Sequence, residues 1–88
     1  MFIFMNTVHE RLRHLRENVK GLSLREFRAR INAELVAEEQ LSLGTVSNYE
    51  RPAGMARRAA PRADFIAALK RAFPEIRLEW LILGEGQP

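Results

Sequence analysis

The residues best suited to do chemistry lie together in Leu41-Ser42-Leu43-Gly44-Thr45-Val46-Ser47-Asn48-Tyr49-Glu50-Arg51. Ser42 is a good N-cap, because its hydroxyl can accept from the free amides of a first helical turn. Pro52 has no amide to donate and disfavours helix at the residue before it, which predicts a stop near Glu50. On a helix between these points Val46 and Tyr49 share one side with the stem of Glu50, and Gly44, Ser47, Asn48 and Arg51 share the other. A surface helix made for stability would carry Ala, Glu and Lys there. Small hydrogen-bonding groups on a short helix suit a DNA major groove, where Asn pairs bidentately with adenine and Ser bonds to more than one base edge. A capped surface helix without a ligand shows the same pattern, so this stretch leaves both readings open.

Composition bounds the choice. Eighty-eight residues make one domain with a single modest core. The absence of Cys excludes disulfides and thiolate metal sites, and His9 and His14 fit no ligand spacing, so neither metal nor cofactor is expected. No apolar run is long enough to cross a bilayer. The chain offers no grouped nucleophile or paired titrating side chains of the kind an enzyme needs, and its two histidines read as surface residues. Net charge is only +3, but it is unevenly spread. Residues 1–32 hold seven Lys/Arg against three Glu, 33–50 hold four Glu and no cation, and 51–71 hold six cations against Asp64 alone. Two basic blocks thus flank the candidate helix, as phosphate binding requires. A solvated basic face on an inert domain looks similar.

Elements that would position the helix follow from caps and periodicity. Residues 1–7 begin with the apolar leader Met1-Phe2-Ile3-Phe4-Met5, too short for a signal-peptide core. Thr7 with Glu10 predicts a capping box and a first helix that buries Val8, Leu12, Leu15 and Val19, exposes Arg11, Arg13, Arg16 and Lys20, and stops at Gly21. Ser23 with Glu26 predicts a second, burying Phe27 and Ile31 with Leu35 a turn further. No Gly or Pro interrupts residues 24–41, so the acidic stretch 32–40 is either a helical extension or a compact insertion. Residues 51–62 read as a basic loop. A helix carrying Phe65, Ile66, Leu69 and Phe73 ends at Pro74, a short apolar one over Leu78–Leu83 closes at Gly84, and 85–88 read as a tail or the start of a linker.

Three segments in this order carry a family resemblance: Lys20-Gly21-Leu22-Ser23, then Leu41-Ser42 through Tyr49-Glu50, then Leu78-Glu79-Trp80-Leu81-Ile82-Leu83-Gly84-Glu85-Gly86. Over roughly residues 8–86 the chain resembles the phage repressor and Cro type of helix-turn-helix DNA-binding domain, the XRE-like family. The resemblance implies an all-α, five-helix domain over 8–84, whose second and third helices form the motif, with the third in the major groove. It places Leu43, Gly44, Thr45, Ser47 and Asn48 at or near the base-reading positions. Ser23, Arg25, Ser42, Arg51, Arg57, Arg58 and Arg62 become candidate phosphate or backbone contacts, and Arg16 and Glu50 a structural ion pair joining helix 1 to the end of helix 3. Further implied are double-stranded DNA as partner, a homodimer on two half-sites, a cytoplasmic, nucleoid-associated transcriptional regulator of bacterial or phage origin, and a possible further domain beyond Pro88. The dimer has two candidate surfaces, the leader Phe2–Met5 or an uncovered part of Leu81–Leu83.

Three departures from the family's pattern qualify this. The connection from Ser23 to Ser42 is longer than the usual tight turn, and its carboxylates Glu34, Glu38 and Glu39 would repel phosphate, so it should project away from DNA. Arg28 stands where the family favours Ala. Leu24 stands where a Gln often contacts the backbone, leaving Arg25 as the substitute. The alternative reading is a protein-interaction module, an antitoxin or adaptor that keeps the fold without specific DNA binding.

Overall fold

Helix starts follow the caps. In the computed structural model, which describes residues 7–88, α1 (Val8–His14) begins at Thr7, whose hydroxyl accepts from the Glu10 amide. The Glu10 carboxylate returns to the Thr7 hydroxyl rather than to its backbone, so only half of the expected box forms. The box is complete at α2 (Leu24–Asn32): the Glu26 amide donates to Ser23 Oγ and the Ser23 amide to Glu26 Oε1. Ser42 caps α3 (Leu43–Tyr49) through the Thr45 amide, and α4 spans Ala63–Ala72. A fifth helical segment, a π turn at Glu79–Leu83, ends in Gly84 with φ 76°, a left-handed conformation that glycine adopts without strain. The described residues contain no strand, and none of their helices is long and apolar enough to cross a membrane. The apolar leader at residues 1–5 lies outside them.

One core joins all five segments. Leu12 and Leu15 of the first helix, Phe27 and Ile31 of α2, Val46 of α3, Phe65 and Leu69 of α4 and Leu81 of the π turn are fully buried. Phe27 stacks on Phe73 with ring centroids 5.9 Å apart, and the Tyr49 ring meets Phe65 edge-on at 4.9 Å. Lys70 donates to the carbonyls of Pro74 and Ile76, closing the turn after α4.

Several expectations need correction. The first helix widens into a π turn over Leu15–Val19, where the Lys20 amide reaches back five residues to the Leu15 carbonyl. The wider turn falls out of step with a stripe spaced for 3.6 residues, and Val19 emerges 43% exposed instead of buried. Arg11, expected outside, is buried: its Nε donates to the Leu81 carbonyl at 2.7 Å and Nη2 to that of Ile82 at 3.0 Å. It thereby satisfies carbonyls of the C-terminal turn that lack helical partners. His9 is likewise buried rather than superficial.

The second helix does not extend through the acidic stretch. It stops at Asn32, and 33–41 form a compact insertion with one 3-10 turn at Ala37–Glu39. Asn32 closes its base: Nδ2 donates to the Leu41 carbonyl at 3.0 Å, and Oδ1 accepts from the Leu41 amide at 2.8 Å. Leu35 and Leu41 anchor the insertion in the core, and Arg71 of α4 holds its start by donating to the Glu34 carbonyl. Replacing Asn32 with Ala leaves a peptide group unpaired at a part-buried site. The expected cost is about 1–3 kcal/mol in urea unfolding, and an unchanged midpoint would show that Leu35 and Leu41 alone define the insertion.

Candidate nucleic-acid interface

The inner face of α3 is fixed by apolar burial and two polar attachments to the first helix. Val46 and Tyr49 are buried, as is the carboxylate of Glu50 just beyond the helix. Arg16 Nε lies 2.8 Å from Glu50 Oε2, and Nη2 lies 2.9 Å from Oε1, a forked pairing of the geometry that suits guanidinium and carboxylate. The remaining Nη1 donates to the Leu22 carbonyl at 3.0 Å, so one side chain ties the α1–α2 junction to the end of α3. Hydrogen bonding to Glu50, opposed by burial, raises the Arg16 pKa further above its ordinary value. The second attachment is His9, whose Nδ1 lies 2.8 Å from the Tyr49 carbonyl. A carbonyl only accepts, so Nδ1 carries the proton. His9 was not a candidate at the sequence level, although it stands two turns before Arg16 on the same side of the helix.

The outward face presents the small polar set. Gly44 is exposed, while Leu43, Ser47, Asn48 and Arg51 are half-buried. Thr45 is less available than its position implied: its amide donates to Ser42 Oγ, and its hydroxyl lies 3.0 Å from the same oxygen. Both residues are therefore part of the cap. Asn48 is a junction. Its Oδ1 accepts from Arg51 Nε at 2.8 Å, and its carbonyl accepts from the Ala59 amide at 3.1 Å, tying the basic loop to the last turn of α3. Ser47, Arg51 and Leu24 line a groove of about 360 Å³ together with Arg13, Arg16 and Met55.

The candidate cations differ in how freely they could meet a phosphate. Arg57 is exposed, with φ 65°. Arg58 is half-buried, and its Nε is fully enclosed with no hydrogen-bond partner. Arg62 precedes α4 and donates twice to the Asp64 carboxylate, at 3.1 Å each, which offsets its charge locally. Arg25 is exposed on the first turn of α2. Ser23 beside it is fully engaged in the capping box, and that helix start already holds the carboxylate of Glu26. The backbone and side-chain hydrogen bonds from Ser23 lower the Glu26 pKa, so it is charged at neutral pH. Among the described residues no three His, Asp or Glu side chains come together as a metal site would need.

No family model, curated protein or solved structure matches the chain.

The Arg16 and Glu50 side chains are only 13% and 6% exposed, which decides the expected effect of breaking the pair. Exposed pairs contribute about 0–1 kcal/mol, whereas removing one partner of a shielded pair leaves an uncompensated charge and costs about 3–5 kcal/mol. Glu50→Ala should therefore destabilise the domain by more than about 2 kcal/mol, the lower figure allowing for partial solvation of Arg16. A melting temperature equal to wild type would mean that the pair is solvated after all.

Proposed function

We propose that the chain is a sequence-specific double-stranded DNA-binding regulator that inserts α3 into the major groove, as the resemblance implies. The observation that carries this reading is the two-sidedness of α3. Its inner face is locked by Val46, Tyr49, Arg16–Glu50 and His9, while Gly44, Ser47 and Asn48 face outward and contribute nothing to the core. A short helix held this rigidly, with small hydrogen-bonding groups outward, suits readout of base edges. Arg51, just beyond α3, and Arg57 and Arg25 are cations that have no carboxylate partner among the described residues. Two copies on paired half-sites would supply the length of sequence that one motif lacks. Ile82 and Leu83, 45% and 64% exposed, are apolar residues that such pairing could cover.

Salt dependence of binding to mixed-sequence duplex DNA tests the reading. Affinity should fall steeply between low and moderate salt, because each phosphate neutralised adds about 0.9 to the logarithmic slope. Arg57→Ala should flatten that slope by about one unit, and Arg62→Ala by less, because Asp64 already holds its guanidinium. No binding even at low salt would instead favour a protein-interaction module built on the same fold.

Asn48 separates specific from general contact. Its replacement by Ala should cost about 1–3 kcal/mol on a preferred site and leave non-specific affinity unchanged. Equal losses on both would make Asn48 a backbone contact.

A further inference from the structure

Of the outward groups on α3, Asn48 has the most specific hydrogen-bonding pattern, and half of it is already used. Arg51 Nε lies 2.8 Å from its carboxamide. Oxygen and nitrogen of an Asn side chain are easily interchanged, but here the partner settles the matter. A guanidinium only donates, so the atom facing it is Oδ1. Arg51 lies two residues beyond the end of α3, and its Nε reaches back to the Asn48 side chain of the last turn. Nδ2 makes no hydrogen bond to the described residues. It also keeps access to solvent, since the only enclosed side-chain polar atom without a partner among them is Arg58 Nε. Both Nη groups of Arg51 are likewise without a partner among the described residues.

We propose that Arg51, by holding Asn48 Oδ1, turns the Asn48 amide into a donor and sets α3 to read guanine rather than adenine at the base pair it meets. This rests on the DNA-reading function proposed above. An unrestrained Asn matches adenine, accepting from N6–H and donating to N7. With Oδ1 turned to Arg51, the outward NH₂ faces adenine's own N6 donor across the groove. Guanine presents only acceptors there, N7 and O6, and the two hydrogens of Nδ2 match them. Oδ1 retains a second lone pair, but a donor approaching it meets the positive charge of Arg51. The free Nη groups of Arg51 remain able to donate to a phosphate. A chain from phosphate through Arg51 and Asn48 to the base then couples position to readout.

Selection of bound sites from a random duplex pool tests this with wild type, Asn48→Ala, Asn48→Asp and Arg51→Met. Asn48→Ala identifies the base pair by losing preference there, and wild type should carry guanine at it. Arg51→Met keeps the bulk of the stem but cannot donate. Adenine should gain on guanine at that one position by about fivefold, the value of a bidentate pair at the lower end of its range. Without the Arg51 guanidinium to donate to a phosphate, affinity falls for every sequence alike and the other positions keep their preferences. Asn48→Asp keeps the partnership with Arg51 and removes the outward donor, so its guanine preference should vanish even if Arg51→Met folds poorly. Three results would overturn the proposal while leaving DNA reading intact: adenine in the wild-type site, guanine retained in Asn48→Asp or folded Arg51→Met, or no position altered by Asn48→Ala. Failure of wild type to enrich any sequence would overturn both.

Discussion

The position of α3 depends on the guanidinium of Arg16. The side chain makes bonds to two segments at once, donating to the Leu22 carbonyl at the α1–α2 junction and to both oxygens of Glu50 beyond α3. Burial decides its importance, and distance does not. Arg13 and Glu17 approach at 2.6 Å, closer than Arg16 and Glu50, but their side chains are 56% and 42% exposed and water competes for both. Such a pair contributes little. In the shielded pair each charge has lost water and depends on the other, so the helices cannot slide without stranding one of them. A two-turn helix is too short to be stable alone. The geometry of α3 is consequently imposed on it by Arg16, His9 and the apolar contacts of Val46 and Tyr49.

The same principle explains which parts of the fold were legible in the sequence. The starts of α1, α2 and α3 were, because a cap is a contact within four residues: Thr7, Ser23 and Ser42 and their third-residue partners are all the information required, whereas α4 starts without a side-chain cap. The apolar stripes of α2 and α4 were legible for a similar reason, since one period governs each. Polar residues inside the fold were not. Arg11 and His9 are buried because backbone carbonyls of Leu81 and Tyr49, 70 and 40 residues away, lack helical partners and need donors. A helical wheel knows nothing of such distant acceptors and assigns both to water. The end of α2 was hidden too. Asn32 is a permissible helical residue, and only its pair of hydrogen bonds to Leu41 shows that the chain turns back there.

For the candidate site, sequence spacing named the outward residues of α3 but not how they were already occupied. Thr45 with Ser42, Asn48 with Arg51 and Arg62 with Asp64 are separated by three, three and two residues, and each pairing was possible on spacing alone. Which of several possible local bonds forms depends on what surrounds them. The Ala59 amide, bonded to the Asn48 carbonyl, brings the loop against the end of the helix. Net charge conceals the same point. Two basic blocks are evident from counting, but Asp64 holds Arg62 and Glu17 holds Arg13, and the cations that remain unpaired are fewer than the count implies.

That reduction changes how the domain would distinguish one ligand from another. A surface in which every arginine were free would bind any phosphate backbone, and its affinity would be dominated by released counterions irrespective of sequence. Pairing Arg62 with Asp64 lowers that indiscriminate term. The directional groups of α3 stay in place, because they are held from the inner side, where no charge is exposed. An interface with modest general attraction and a rigid polar helix derives more of its discrimination from hydrogen-bond geometry. Small changes in the orientation of one amide then matter more than the addition of another cation.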